Sequence, residues 1–191
     1  MSAVMEEEPR RHRITVDEYY RMGELGLISP DARVELIDGE IVDMAPIGNP
    51  HMATVDRLVK LLIHAVGDRA IVRCQGAVQL GDYSAPEPDF VLLAPRTDYY
   101  STRRAISSDT LLAIEVSDTT LKYDSGRKMS LYARHNVPEL WVIDVPSARL
   151  LHFRRPSGDR YLETATLEAP ATMSIERLPG IELNLSSIYI R

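Results

Sequence analysis

Two of the most apolar runs in the sequence each carry one acid, and this combination limits where the runs can lie in a fold. Asp89 stands within residues 88–93, and Glu115 stands near the end of residues 111–116. Continuous apolar runs of this length are typical of central strands, which are buried on both faces of a sheet. A carboxylate in such a strand is costly unless it is paired or binds a metal. Two such acids, followed by Lys128, indicate a magnesium-dependent site that cuts phosphodiester bonds.

The acid pair suits Mg²⁺ because this ion prefers oxygen ligands in near-octahedral geometry and keeps several waters. Asp89 and Glu115 on neighbouring strands, with the backbone carbonyl of Val116, would hold the ion and leave positions for a phosphate oxygen and a water. We expect Mn²⁺ to substitute. Bound metal can lower the pKa of the water and stabilise charge on the phosphate. The alternative for either acid alone is that it caps a strand at the surface. The presence of both acids together with Lys128 favours the metal site.

Lys128 is the predicted third member of the site. Asp124 or Ser125 is a suitable N-cap for a helix that we expect to run to about His135, which places Lys128 in or near the first turn. A cation there opposes the helix dipole by about 0.3–1 kcal/mol, and an adjacent acidic site would offset that cost. Lys128 could then orient or activate the attacking water. The alternative is a solvated lysine paired with Asp124 at i,i+4 spacing.

Four further side chains are weaker candidates for the site. Tyr132 lies one helical turn beyond the lysine, where it either contacts substrate or, as we favour, belongs to the core. Glu35 lies within a predicted strand and faces either inward or the surface. Glu87 shares strand parity with Asp89, but the prolines on both sides of it favour a turn. His51 is expected at the surface in the first turn of a helix, although it could reach a phosphate from there.

Basic residues near the predicted site could contact a phosphate backbone, which positions nucleic acid without reading its sequence. They are Arg103, Arg104, Lys122, Arg127 and Arg134. Charge runs of this kind are more often solvated faces. The net charge of −6 argues against a protein that coats nucleic acid by bulk charge, but it leaves room for a nuclease with one basic cleft.

Composition excludes several other kinds of site. The single cysteine excludes a disulfide framework and a cluster of thiolates, and the histidines contain no H-x-x-x-H pair for a zinc site.

No stretch approaches the roughly 18 apolar residues that span a bilayer, and residues 1–13 show no apolar signal core. We therefore expect a cytoplasmic protein with a flexible leader at 1–13 and one domain at 14–191.

Local patterns predict the elements that precede the acids. Thr15 and Glu18 have the spacing of a capping box, so a helix should begin there and end near residues 23–26. The Asp38-Gly39 dipeptide between two strand-like runs predicts an N-terminal hairpin. Asn49, as a cap residue before proline, predicts the start of a long packing helix.

The second half of the sequence predicts most of the sheet. We expect strands at 71–80, 89–93, 111–116 and 140–144, and a second hairpin at 150–154 and 161–167. A helix lies between the third and fourth strands, which predicts a crossover to a parallel neighbour. Asn136 is expected to end that helix in the left-handed conformation. The fold class is therefore α/β, with a central mixed sheet flanked by helices.

At these residues the chain resembles the PD-(D/E)XK nuclease superfamily and, within it, the Uma-two family of restriction-endonuclease-like proteins. The matching stretches are 34–42, 86–89, 115–117 and 124–144, and the resemblance covers about 14–185. It implies a restriction-endonuclease-like core, Mg²⁺ and nuclease chemistry, with Asp89 and Glu115 as metal ligands and Glu35 as a third acid. The superfamily lysine usually stands two residues after the glutamate, where this chain has Ser117, and the resemblance moves it to Lys128.

The leading hypothesis is a Mg²⁺-dependent endonuclease that hydrolyses DNA. Restriction-type enzymes often act as dimers, so a homodimer is expected by analogy. One alternative is a nuclease fold that binds nucleic acid or protein without hydrolysis. Another is a regulatory homodimer, which an exposed apolar face around residues 150–153 would indicate.

Overall fold

The computed structural model describes residues 11–189, so most of the predicted leader lies outside the described residues. Helix α1, Val16–Glu24, comes first, followed by strands β1, Val34–Ile37, and β2, Glu40–Asp43. The capping box is confirmed, because the Thr15 side chain accepts from the N–H of Glu18 while the Glu18 side chain accepts from the N–H of Thr15. The predicted hairpin is also confirmed, with positive φ at both turn residues, 55° and 83°.

Helix α2, Asn49–Val66, packs on one face of the central sheet. Its apolar side chains recur at helical spacing, and Val55, Leu58 and Leu62 are buried. The predicted cap is wrong by one residue. Gly48 is the N-cap and makes no side-chain hydrogen bond, so Asn49 is already the first helical residue.

A six-stranded mixed sheet forms the centre of the fold and confirms the predicted architecture. Its strands are β3, Ile71–Cys74; β4, Phe90–Leu93; β5, Thr110–Ser117; β6, Glu139–Asp144; β7, Arg149–Ser157; and β8, Arg160–Glu168. The order is β3-β4-β5-β6-β7-β8, with β5 and β6 parallel and the other neighbours antiparallel. Strand β3 is shorter than the predicted 71–80, because Gln75 has a φ of 47° and ends the extended backbone.

Helix α3 connects β5 to β6 and covers the face of the sheet opposite α2. It has three consecutive parts: α-helical Leu121–Tyr123, π-helical Asp124–Lys128 and α-helical Met129–Arg134. Asn136 follows with a φ of 57°, as predicted. The predicted start is wrong by about one turn, because Asp124 is not a cap. Its carboxylate instead accepts hydrogen bonds from the hydroxyls of Ser117 and Thr120.

The C-terminal part adds strands β9, Thr172–Ser174, and β10, Glu182–Asn184, which pair with each other and pack on the α2 side. The second predicted hairpin is confirmed as β7 and β8. Leu150 is fully buried and Phe153 is 8% exposed, so these residues do not form the apolar face that a regulatory homodimer would need. Within residues 11–189, no helix is both long enough and apolar enough to cross a membrane.

Candidate active site

A cavity of about 430 Å³ opens where strands β4 and β5, the first hairpin, the start of α2 and the π-helical part of α3 meet. Its lining is strongly acidic. The acids are Glu35, Asp43, Glu87, Asp89, Glu115, Asp118 and Asp124. The basic side chains on the lining are those of Arg33, His51 and Lys128. The negative charge of this cavity is therefore far from balanced by its own cations.

Asp89 stands immediately before β4, and two donors fix its carboxylate. The backbone N–H of Val116 donates to Oδ2 at 2.8 Å, and His51 Nε2 lies 3.0 Å from Oδ1. The carbonyl of Asp89 accepts from the N–H of Gln75 at 2.9 Å, which ties this residue to the end of β3. The side chain remains 14% exposed and faces the cavity.

Lys128 joins the two buried acids of the cavity. Its Nζ lies 2.7 Å from Glu115 Oε1 and 3.2 Å from Glu35 Oε2. All three side chains are 4% exposed. The alternative of a solvated lysine paired with Asp124 is therefore wrong. The π-helical turn carries Lys128 on the inner side of α3, and turns of this type are frequent at functional sites.

The protonation of this cluster follows from burial and charge. Burial raises the pKa of Glu115 to about 8, against the lowering effect of Lys128. Burial alone would lower the pKa of Lys128, but the neighbouring carboxylates, Glu115 first, raise it above its ordinary value. The cationic form of the lysine is therefore favoured, and burial disfavours the charged form of Glu115 unless a further cation lies beside it.

Tyr132 belongs to the same cluster. It is 1% exposed, and its hydroxyl donates to Glu115 Oε1 at 2.6 Å. Burial, with Glu115 second, raises the pKa of this hydroxyl well above its usual value, so it remains a donor. The core position that we favoured from the sequence is correct, but the side chain also touches a site residue.

Glu35 and Glu87 lie together at the outer side of the cluster. Glu35 faces inward and is 3% exposed, which settles the two alternatives left by the sequence. The backbone N–H of Glu87 donates to Glu35 Oε2 at 3.1 Å, and its side chain is half-buried in an irregular segment. Burial, and then the charge of Glu35, raise the pKa of Glu87. The sequence-predicted residues Glu35, Glu87, Asp89, Glu115 and Lys128 thus line one cavity.

His51 is the site residue that sequence reasoning placed wrongly. It was expected at the surface, but its side chain is 12% exposed and contacts Asp89. The Asp89 hydrogen bond, against the effect of burial, raises the pKa of His51. Its Nδ1 is buried without a hydrogen-bond partner in the described part of the chain. The helix pattern could not reveal this, because the contact arises where the start of α2 meets the end of the sheet.

The predicted phosphate-contacting residues do not line the acidic cavity. Two arginines lie beside the first hairpin, where Arg127 pairs with Glu40 and Arg134 pairs with Asp38. Arg103 pairs with Asp109, and Arg104 pairs with an acid of α1. Lys122 is exposed on α3. Their contact with a phosphate backbone therefore stays a prediction, made from positions outside the lining of the cavity.

The donor set of the cavity is compatible with Mg²⁺. Across residues 11–189, no group of three or more His, Cys, Asp and Glu side chains is arranged to hold a metal ion. A three-residue cage is not required, because Mg²⁺ is usually held by one or two carboxylates and keeps several waters. Asp89 and Glu115 supply oxygen ligands in a cavity whose seven acids outnumber its three basic side chains. Binding there would require Glu115 to exchange Lys128 for the ion.

A mixed sheet between helices, with an acidic cavity at the ends of two central strands, places the molecule in the class of nuclease-fold proteins. The crystal structure of "a putative nuclease belonging to DUF820" from Anabaena variabilis has the same fold, with a TM-score of 0.69. The two chains are 18% identical, and the match covers 92% of this chain and 97% of the other. At this identity the likeness establishes the fold.

The family model described as "Uma2: Putative restriction endonuclease" matches residues 16–186, and the chain belongs to this family. The family resemblance stated from the sequence is thereby confirmed, and membership supports a nuclease function. A comparison with functionally curated proteins found no significant match.

Proposed function

We propose that this protein is a Mg²⁺-dependent endonuclease that hydrolyses phosphodiester bonds of DNA at the acidic cavity. The observation that carries the proposal is the fully buried Lys128, held between Glu115 and Glu35 beside Asp89. A structural lysine needs one acid as its partner, whereas this cavity has seven acids and only three basic side chains on its lining. Without a divalent cation, such a cavity would repel a phosphodiester.

Asp89, Glu115 and the carbonyl of Val116 are the groups that would hold the ion. When bound, Mg²⁺ supplies neutralising charge and lowers the pKa of a water. Val116 follows Glu115 directly, and its own N–H fixes the Asp89 carboxylate, so the three groups belong to one rigid part of the sheet. His51 orients Asp89 from the other side.

Lys128 orients and neutralises rather than acting as a base. The neighbouring carboxylates raise its pKa, which favours the ammonium form over the free amine that a base would need. With Glu115 as a ligand of the ion, the ammonium would keep Glu35 as a partner and have donors free for a phosphate oxygen. Hydrolysis forms one bond from water oxygen to phosphorus and breaks the bond to the leaving sugar oxygen; the attacking water gives one proton to bulk solvent, and the leaving oxygen takes one proton from it.

The direct test is cleavage of supercoiled plasmid by purified protein with Mg²⁺ or with EDTA. We expect cleavage with Mg²⁺ alone, and Asp89→Asn should lower the rate by about 100-fold or more, since a ligand matters at least as much as the groups that orient it. Asp159→Asn, at an exposed turn between β7 and β8, is the matched control and should cleave like the wild type.

Circular dichroism must show that both variants are folded. The proposal is wrong if the wild type does not cleave, or if Asp89→Asn cleaves equally well. A folded protein that binds DNA without cleaving it would instead support a non-catalytic nuclease fold. The homodimer and the cytoplasmic location remain predictions; sedimentation of the purified protein tests the first, and cell fractionation tests the second.

A further inference from the structure

We propose that a second, basic pocket binds a backbone phosphate of the same DNA, at a distance from the bond that is cut. This inference rests on the proposed function for its substrate. We call this site the arginine pocket, defined by the residues that line it: Tyr20, Arg73, Gly76, Ala77, Tyr100, Ser101, Thr102, Arg103 and Arg104. It contains three arginines and no acid, whereas the acidic cavity contains seven acids.

Three arginines of this region make cation–π contacts with the ring of Tyr100. The guanidinium carbons of Arg73, Arg96 and Arg103 lie 5.6, 5.2 and 5.1 Å from the centre of its ring. The ring is 7% exposed, and its hydroxyl donates to the carbonyl of Ala94 at 2.8 Å. Because this ring is fixed, it holds the positive charges in place, and the cation–π contacts partly offset their mutual repulsion.

Acids neutralise all but one of the arginines around the pocket. Asp98 pairs with Arg96, and Asp109 pairs with Arg103. Arg104 lies 4.2 Å from the centre of the Tyr20 ring and pairs with an acid of α1. Arg73 has only a long hydrogen bond of 3.4 Å to the carbonyl of Ala77, and within residues 11–189 it forms no salt bridge. One guanidinium is therefore left with positive charge for an outside anion.

The backbone presents Arg73 in a fixed position. Strand β3 ends one residue later, and the chain then turns through Gln75, with its positive φ, to Gly76. A Cβ on Gly76 would lie 2.6 Å from Cδ and 2.8 Å from Cγ of Arg73, so a larger residue here would force this side chain to move. An arginine that is already ordered loses less conformational entropy when it binds an anion.

The end of β3 connects the arginine pocket to the acidic cavity. Arg73 and Gly76 line the pocket, and Asp89 lines the cavity. Between them, the N–H of Gln75 donates to the carbonyl of Asp89 at 2.9 Å. The two sites are therefore neighbours along one segment, as a single DNA molecule that contacts both would require.

The chemistry of the pocket matches a phosphodiester. Guanidinium groups bind phosphate oxygens through two parallel hydrogen bonds, and the exposed Ser101 adds a hydroxyl donor. Because no base-reading group is needed for such contacts, the pocket would position DNA without selecting a sequence. A phosphate bound here would anchor the duplex while the neighbouring backbone enters the acidic cavity.

Fluorescence anisotropy with a labelled duplex tests this inference. The titration is done in EDTA, where no hydrolysis occurs and the acidic cavity repels the backbone. Arg73→Gln should weaken binding by about 10-fold and reduce the slope of log affinity against log salt by about one phosphate contact. Arg155→Gln, which removes an arginine of β7 that pairs with Glu163 of β8, is the matched control and should bind like the wild type.

Thermal unfolding must show that Arg73→Gln is folded; if it is not, Arg73→Lys takes its place, which keeps the charge, loses the two parallel hydrogen bonds and should also weaken binding. Equal binding by the folded variant and the wild type overturns the inference. Inorganic phosphate is also added as a competitor of the labelled duplex. The inference fails if Arg73→Gln weakens this competition but leaves the affinity for the duplex unchanged. Plasmid cleavage with Mg²⁺ separates the two proposals. If the wild type binds DNA through Arg73 but does not cleave it, the proposed hydrolysis is wrong and the proposed phosphate binding at the arginine pocket stands.

Discussion

Glu115 and Glu139 are buried glutamates on neighbouring parallel strands, and their surroundings differ in how many donors face the carboxylate. Glu115 is held by a lysine and a tyrosine and faces an open cavity. Glu139 is fully buried and receives four groups at 2.6–3.2 Å: His152 Nε2, Trp141 Nε1, Arg154 Nε and the backbone N–H of Glu176.

The pKa values of the two acids move in opposite directions. Burial raises the pKa of Glu115 to about 8. Burial acts in the same sense on Glu139, but its hydrogen bonds, that of His152 first, lower its pKa on balance. Glu139 is therefore a satisfied ion that fastens the C-terminal segment to β6. Glu115 has fewer donors, and its charged form is disfavoured by burial. This lowers the stability of the metal-free protein, as is typical of carboxylates at functional sites.

The largest effect on stability is expected from Glu139→Gln. A glutamine keeps one acceptor but turns an amide donor toward groups that are themselves donors, and it leaves Arg154 without its buried acid. We expect a loss of about 3 kcal/mol in the free energy of unfolding. Urea denaturation measures it. Cleavage per folded molecule should remain, and a variant as stable as the wild type would contradict the structural role of Glu139.

Glu115→Gln should change the pH dependence of stability in the metal-free protein. Between the ordinary pKa of 4.5 and about 8, the folded protein retains a proton on Glu115 that the unfolded chain loses, so stability falls as the pH rises. The glutamine mimics the protonated acid and should remove this fall. Glu139 has the opposite sign, because its contribution is present above pH 4.5 and is lost as the pH falls further.

Thermal unfolding in EDTA from about pH 2.5 to pH 8 separates the two signs, because the loss at Glu139 lies below its ordinary pKa. Glu115→Gln should flatten the curve on the neutral side, and Glu139→Gln should flatten it on the acid side. If Glu115→Gln retains the whole neutral-side fall, the protonation state that we assign to Glu115 is wrong.

A smaller effect is expected where Asp89 is oriented by its neighbours. His51→Ala removes one of the two donors to the Asp89 carboxylate and should raise the Mg²⁺ concentration for half-maximal cleavage by about 10-fold. His64→Ala, at an exposed position of the same helix, is the control. An unchanged Mg²⁺ requirement would show that His51 does not position Asp89.

Sequence patterns were reliable wherever a local rule decided the structure. The capping box at Thr15 and the Asp38-Gly39 turn depend on residues within a few positions of each other, and both form as predicted. The acids in apolar strands were also informative, because burial of charge is costly in any fold. The same rule would have selected Glu139, and only the strand register shows that its partners, His152 and Arg154, lie on the adjacent strand β7.

The remaining features depend on contacts between distant segments. The hydroxyl of Ser117 binds Asp124 across the end of β5, so Asp124 is unavailable as a cap and α3 begins earlier. His51 is buried because the start of α2 meets Asp89. The arginine pocket forms around Tyr100 from residues as far apart as 73 and 103. None of these pairings leaves a signal in a single sequence.

Anomalous scattering from a crystal soaked in Mn²⁺ tests the central claim most directly. We expect one strong peak between the carboxylates of Asp89 and Glu115, with the Lys128 ammonium withdrawn from Glu115 and still bound to Glu35. A cavity without a peak, in which Lys128 remains bound to Glu115, would contradict the account.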